Sequence, residues 1–398
     1  MLALLLFLLL FTSNSCQQQH HDYDEYSDDY DNNYVDIVES VNCSEYNSEL
    51  TNCSCTRTLI NCTNLGFYSL PTNISYLEDE NRTINILFNN NSIKILSEIK
   101  VPEDGRIKIK TLNLANNIPL EDVDAFNSTL EILILNDNKN FDLNKLINIS
   151  FDNLNILHLN NIKSPLVIDN SGFFSSQSNS KIDSLKEISV KDTKLIFSPS
   201  SSAAFYNLTN LEVLFLRNNQ LNEIPCERIK SFSKLRILKY ELNSISTTNE
   251  NCFKQIEKLY LREISDLNDL EKLFDDSSSK SLKYLDLSRN KMFDGLPFGL
   301  LRKLNELREL VINVNEIIEA NGTILTDSKL ARLDLSNSII RRISENSFNS
   351  FLNLNELNLQ NCSIESLDKK AFSGLKHLQH VSFMLFLILV NTLVNSFS

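Results

Sequence analysis

Hydrophobic and polar positions recur in blocks along most of the chain, and the clearest two blocks are adjacent. Residues 330–353 and 354–377 both follow the pattern L-x-x-L-x-L, with a later I-x-x-I/L and with Phe348 and Phe372 at the same place. Strict alternation of apolar and polar residues over a few positions is typical of a short β-strand with one buried face. The pattern therefore predicts one strand per block, followed by a turn and a returning segment.

The same register extends through the chain. The first apolar residue of each block falls at intervals of 21 to 31 residues, at Ile109, Leu130, Leu154, Leu185, Leu211, Leu235, Ile256, Leu282, Leu307, Leu330 and Leu354. A degenerate block precedes them near Thr83. Irregular spacing between Leu154 and Leu185 indicates a surface insertion. A match of many blocks in one register indicates an internal repeat, and a repeat predicts one continuous array where chain length alone would suggest several domains.

This unit resembles the leucine-rich repeat. The resemblance implies an α/β solenoid, a horseshoe with a parallel β-sheet on its concave face, over residues 83–380. A polar residue follows the strand in many blocks, and we expect its buried amide to bond backbone groups of neighbouring coils, because buried polar groups must be paired. These residues are Asn117, Asn138, Asn219, Asn243, Asn290 and Asn315.

Alternation also predicts which side chains face a partner, because residues between the buried leucines point to the other side of the sheet. In the middle of the array these positions are aromatic and basic, and aromatic residues and Arg are enriched at binding hot spots. The predicted partner-binding residues are Phe215, Arg217, Lys239, Tyr260, Arg262 and Tyr284. We expect a basic, aromatic patch there, although some concave residues of any array are aromatic or basic.

Four cysteines stand immediately before the repeats, in residues 43–82, with the spacing C-x9-C-x-C-x6-C: Cys43, Cys53, Cys55 and Cys62. In an oxidising compartment they predict two disulfides in a cap that covers the apolar edge of the first coil. The chain thus resembles extracellular leucine-rich repeat proteins with an N-terminal cysteine cap. That resemblance implies the pairs Cys43–Cys55 and Cys53–Cys62. Cys226 and Cys252 occupy similar places in adjacent coils and form a candidate disulfide, while Cys362 is expected to be a buried free thiol.

The N-terminal end predicts secretion. Residues 1–15 form an apolar run that resembles a signal peptide. Residues 16–42 hold eight acidic residues and no Lys or Arg, a composition typical of disorder. Tyrosines beside the acidic residues are typical of sulfation sites, as in the tails of some small leucine-rich proteoglycans: Tyr23, Tyr26, Tyr30 and Tyr34. A solvating spacer is the alternative role for this segment.

The C-terminal residues 381–398 contain no charged side chain. Three interpretations remain open: the hydrophobic tail of a GPI-attachment signal, a closing strand on the last coil, or the end of an incomplete chain. We favour the GPI signal, which would be the chain's one attachment to a membrane.

Function is predicted to be binding, not catalysis. No catalytic triad, phosphate-binding loop or metal motif is present, so we expect no enzyme activity, cofactor or metal. The formal net charge of −13 argues against nucleic acid as a partner. We expect an extracellular recognition or adhesion glycoprotein, secreted or at the cell surface, that binds a protein ligand or receptor through its concave face. The alternatives are a matrix component that binds basic matrix proteins through the acidic tail, and a non-catalytic subunit of a secreted enzyme.

Overall fold

The computed structural model describes residues 41–75, 81–123, 128–146, 149–163, 165–168, 182–197, 208–245, 252–264, 270–274, 280–290, 296–315 and 328–383. The signal-peptide segment, the four tyrosines of the acidic tail and the C-terminal apolar tail after Phe383 lie outside these residues.

One sheet runs through the described part of the chain. Its strands, in spatial order, are β1 (Ser54–Cys55), β2 (Leu59–Asn61), β3 (Arg82–Leu87), β5 (Ile107–Asn113), β7 (Ile132–Ile134), β8 (Ile156–His158), β10 (Glu187–Lys191), β12 (Val213–Arg217), β13 (Ile237–Glu241), β14 (Lys258–Tyr260), β15 (Tyr284–Asp286), β16 (Glu309–Val311), β17 (Arg332–Asp334), β19 (Glu356–Leu359) and β21 (His380–Phe383). β1 and β2 are antiparallel, and every later pair in this sheet is parallel. The molecule is the predicted parallel-sheet solenoid.

Apolar alternation within each strand builds the core. Leu333 and Leu335 of one coil, and Leu357 and Leu359 of the next, are all buried, as the repeat pattern predicts. Because each strand is in register with its neighbours, equivalent leucines stack from coil to coil. The residues between them lie on the opposite side of the sheet, the concave face, and are available for a partner.

A ladder of mostly polar residues joins successive coils at the turn that follows the strand. Asn117 is fully buried, and its amide nitrogen donates to the carbonyls of Phe88 and Leu114 at 3.0 and 2.9 Å. Its amide oxygen accepts from the backbone nitrogen of Ile93 at 3.1 Å. Each ladder residue satisfies backbone groups that the turn would otherwise leave unpaired, which confirms the expectation drawn from the sequence.

The returning segments lie on the other side of the coils and include two short helices, α1 (Cys226–Ser231) and α2 (Phe298–Lys303), with 3-10 turns at Leu143–Leu146 and Leu270–Leu273. Three small parallel sheets also lie there: β4 (Ile95–Leu96) with β6 (Asp122–Val123), β9 (Leu166–Ile168) with β11 (Leu195–Phe197), and β18 (Arg342–Ile343) with β20 (Ser366–Leu367). The repeated Phe348 and Phe372 stack with ring centroids 5.8 Å apart.

The N-terminal cap contains two 3-10 helices, Cys43–Glu45 and Ser48–Leu50, and two disulfides. Cys43 pairs with Cys55 and Cys53 with Cys62, with Cα atoms 5.2 and 4.5 Å apart, as the family resemblance implies. Tyr46 and Leu50 are fully buried in the cap, so the first coil has an apolar neighbour.

The remaining cysteines lie within the coils. Cys226 at the start of α1 forms a disulfide with Cys252, with Cα atoms 4.7 Å apart. Cys362 is a free thiol at the ladder position of its coil, where its sulfur donates to the carbonyl of Leu335 at 3.1 Å. Its side chain is half-buried, less covered than the sequence interpretation expects, while burial raises its pKa to about 11.

Candidate partner-binding surface

The structure brings the six predicted residues together on the concave face of four neighbouring strands. Phe215 on β12 pairs in register with Lys239 on β13, and Lys239 pairs with Tyr260 on β14. Tyr284 opens β15, while Arg217 ends β12 and Arg262 follows β14. We call these six residues the central patch.

The aromatic rings of the central patch are packed against one another and against cations. The ring centroids of Tyr260 and Tyr284 are 4.9 Å apart. The Lys239 Nζ atom lies 4.8 Å from the Phe215 centroid and 5.1 Å from that of Tyr260. The three rings are nearly buried, with exposures of 3% for Phe215, 8% for Tyr260 and 7% for Tyr284. A partner would therefore meet mainly the lysine and arginine side chains that cover the rings.

Burial also raises the pKa values of the two tyrosine hydroxyl groups. It raises the pKa of Tyr260 to about 12, because the phenolate would lose its hydration among these side chains. It raises the pKa of Tyr284 further, with the nearby carboxylate of Asp286 as the second cause. Both hydroxyls therefore stay protonated well above physiological pH, and the Tyr284 hydroxyl donates to Asp286 Oδ2 at 3.3 Å.

Arg262 forms the tightest ion pair of the surface. Its Nε and Nη2 atoms lie 2.7 and 2.6 Å from Asp286 Oδ2, so the pair is bidentate from the guanidinium side. Asp286 is fully buried and also accepts hydrogen bonds from the backbone nitrogen and hydroxyl of Ser288. Burial alone would lower the pKa of Arg262, but the charge and hydrogen bond of Asp286 outweigh it and raise the pKa.

The positive charge of Arg217 is likewise balanced by acidic neighbours. Its Nη1 atom lies 2.9 Å from Glu241 Oε2, and its Nη2 atom lies 3.4 Å from Glu263 Oε1. Glu241 is buried, whereas the Arg217 side chain keeps 36% exposure. Burial lowers the pKa of Arg217, but the hydrogen bond to Glu241 reverses the effect and the net pKa is raised.

These ion pairs change the description of the surface. The sequence interpretation counted the arginines as a basic patch, whereas the structure shows a charge-paired surface in which Arg217 and Arg262 have acidic partners. The partners Glu241, Glu263 and Asp286 were missed as site residues. The repeat spacing contains the signal, since Arg262 and Asp286 are 24 residues apart and therefore belong to adjacent coils.

A second buried polar pair lies on the same face nearer the N-terminus. His158 Nε2 is 3.0 Å from Glu187 Oε1, and Ser189 donates to the side-chain oxygen of Asn160 at 2.9 Å. These groups satisfy one another within the sheet. Among the described residues, no cluster of three or more His, Cys, Asp and Glu side chains has the arrangement of a metal site. In the same part of the chain, every helix is too short or too polar to span a bilayer.

Comparison with known proteins identifies leucine-rich repeats in part of the chain. Residues 328–382 match the leucine rich repeat family model. Over 182 residues the chain is 30% identical to nephrocan of Mus musculus, covering 46% of this chain and 30% of that protein. Over 206 residues it is 26% identical to osteomodulin of Bos taurus, covering 46% of this chain and 47% of that protein. An internalin structure from Listeria monocytogenes aligns with a TM-score of 0.45 at 18% identity, covering 88% of this chain and 97% of that chain.

The chain therefore has the solenoid fold of leucine-rich repeats, with a match to the leucine rich repeat family model over residues 328–382 and a disulfide-bonded cap before the repeats. The particular proteins to which parts of the chain are similar in sequence are nephrocan and osteomodulin. The chain spans less than half the length of each of them.

Proposed function

We propose that this protein is an extracellular recognition protein that binds a protein partner through the concave face of β12 to β15. The observation that supports the proposal most is the central patch itself. Aromatic and arginine side chains are the residues that contribute most to protein–protein affinity, and here they adjoin one another on consecutive strands.

The chemistry of the patch favours a protein over a small molecule or a polyanion. Its rings are nearly buried beneath Lys239 and Arg262, so little aromatic surface is left open to enclose a small molecule. Its arginines are matched by carboxylates, so a polyanion would compete with partners already in place. A protein surface with both apolar and polar groups fits such a face better.

The experiment begins with the purified, secreted full chain. Surface proteins of cultured cells are crosslinked to it, candidates are expressed separately, and their direct binding is measured by surface plasmon resonance. Lys239→Glu should weaken binding of the true partner by about tenfold or more, because it places a like charge beside Glu241 and removes the cation above two rings.

Lys254→Glu is the matched control. Lys254 is exposed and lies in the returning segment before β14, away from the concave face, and the charge change is the same. It should leave affinity unchanged. A double change of Phe215→Ala and Tyr260→Ala tests the rings and needs a melting curve beside it, since both are buried. Equal binding by wild type and Lys239→Glu, with loss in Lys254→Glu, would place the binding surface on the other side of the coils.

A further inference from the structure

In the main sheet, the turn after each strand from β2 to β19 holds one residue in the left-handed conformation, immediately before the ladder position. Among the described residues this turn column consists of Asn64, Asn90, Asn116, Asp137, Asn161, Asp192, Asn218, Leu242, Glu263, Arg289, Val314, Asn337 and Asn361, with φ between 50° and 62°. The left-handed region disfavours most side chains and is several-fold enriched in Asn and Asp. Asn or Asp is therefore the default residue of the column for a physical reason, and most coils have one of the two.

The Asn and Asp residues of the column also serve the fold. The side-chain nitrogen of Asn116 donates to the side-chain oxygen of Asn90 at 2.8 Å, and that of Asn218 donates to Asp192 at 2.7 Å. Each such bond links adjacent coils at the rim of the concave face. The default residues thus fit the backbone and connect the turns.

Four consecutive coils depart from the default. They place Leu242, Glu263, Arg289 and Val314 in the column, and we call this set the ridge. The backbone turn is unchanged, because Leu242 N still donates to the Arg262 carbonyl at 2.9 Å and Val314 N to the Ser336 carbonyl at 3.1 Å. The departure therefore concerns the side chains alone.

The apolar side chains of the ridge contribute little to the packing of the core. Leu242 is 38% exposed and Val314 is 47% exposed, so neither completes the core. A β-branched residue such as Val314 is an outlier at positive φ, and strain without a packing gain points to a function outside the fold. The ridge also borders the central patch, since Leu242 follows β13 and Glu263 follows Arg262.

Charge and spacing define what the ridge would accept. Glu263 Oε1 lies near both Arg217 Nη2 and Arg289 Nη1, at 3.4 and 3.6 Å. The Arg289 side chain is 62% exposed and that of Glu263 only 23%, so the centre of the ridge presents a cation. Coils are about 4.8 Å apart, which separates Leu242 from Val314 by about 14 Å. An extended chain places residues i and i+4 on one face about 13 Å apart, with i+2 between them.

We propose that the ridge is a docking surface for an extended segment of a protein partner, with apolar residues at i and i+4 and an acidic residue at i+2. The apolar residues contact Leu242 and Val314, and the acidic residue pairs with Arg289. This inference rests on the proposed function, and it adds the rim of the concave face and a sequence pattern for the ligand.

The test uses a random dodecapeptide library displayed on phage and selected on the full chain. Peptides with the apolar-x-acidic-x-apolar pattern should be enriched. Synthetic copies should bind Leu242→Gly and Val314→Asn roughly tenfold or more weakly than wild type, a loss typical of an anchoring contact. Glycine is chosen at position 242 because asparagine there would complete a glycosylation sequon with Ser244.

Thermal unfolding separates a binding role from a structural one. Val314→Asn restores the default residue and should melt at or above the wild-type temperature. Asn64→Leu, an exposed turn-column residue near the cap with φ of 59°, is the matched control. It should melt lower and bind the peptides as wild type does.

Three results would overturn the ridge assignment: a lower melting temperature for Val314→Asn, equal peptide binding by wild type and both ridge variants, or no enrichment of the pattern. Peptides that lose binding to Lys239→Glu but keep it on the ridge variants would overturn the ridge and leave the proposed function standing. Failure of every selected peptide to respond to either set of variants would count against both.

Discussion

The Arg262–Asp286 pair makes a sharp prediction about what holds the concave face in shape. In Asp286→Asn the Oδ1 position keeps its acceptor for Ser288, while an amide NH2 replaces Oδ2 and faces Arg262 Nε and Nη2, at 2.7 and 2.6 Å in the wild type. Two charge-assisted hydrogen bonds are lost, each contributing about 1.5–3 kcal/mol. Because Asp286 is fully buried and the Arg262 side chain only 21% exposed, water compensates little. We expect a loss of about 3–5 kcal/mol in the free energy of unfolding, the range for a buried pair that loses one partner.

A double-mutant cycle isolates the pair. Arg262→Met removes the guanidinium, which lies over Tyr260, and leaves the buried carboxylate of Asp286 without its cation, so it should also be strongly destabilising. The double variant buries no unpaired charge and should be more stable than the sum of the single losses by about 2 kcal/mol or more. Urea unfolding followed by circular dichroism measures all four proteins. Additive losses within about 0.5 kcal/mol would show that the two side chains do not stabilise each other.

Three further predictions follow from buried groups. Leu333→Ala should lower the free energy of unfolding by about 2–5 kcal/mol in the same assay, because Leu333 is 1% exposed; a loss under about 1 kcal/mol would contradict its place in the core. The raised pKa of Tyr260 means that the folded protein holds this proton more tightly than the unfolded chain, so its stabilising contribution is complete below about pH 10 and is lost as pH rises to about 12; Tyr260→Phe should make the decline shallower. Cys362, with a pKa of about 11, should react slowly with iodoacetamide at pH 8 and faster as pH rises toward 11, whereas equal rates in the folded protein and in urea would show an unprotected thiol.

The coil architecture could be predicted from the sequence because each coil repeats the same local requirements. Buried residues at alternate strand positions and an amide at the turn leave a periodic signal, and Leu333, Leu335 and Asn117 occupy the places that this signal assigns. Residues of one coil and the next are about 24 positions apart, so the contacts between them follow from the register alone.

The surface was less predictable, because its properties depend on pairs of residues instead of single positions. Whether Arg262 is a free cation depends on the residue one coil later, and only the structure shows that Asp286 is close enough to pair with it. The near burial of Tyr260 has the same origin, since it depends on Lys239 and Tyr284 lying on either side. Periodicity predicts which face a residue occupies but not what its neighbours leave exposed.

The positions that can vary within a coil suggest where function lies. The buried strand residues and the ladder are constrained by stacking, so we propose that recognition uses positions that stacking leaves free to vary, among them the concave strand positions and the turn column. These two sets depart from their usual residues in overlapping coils: the central patch covers β12 to β15, and the ridge follows β13 to β16. The two sets differ in physical character. The central patch concentrates rings and paired charges, whereas the ridge places exposed apolar side chains in a strained backbone conformation. Stacking requires neither of them, and their coincidence in the same coils is the expected result if one partner contacts both.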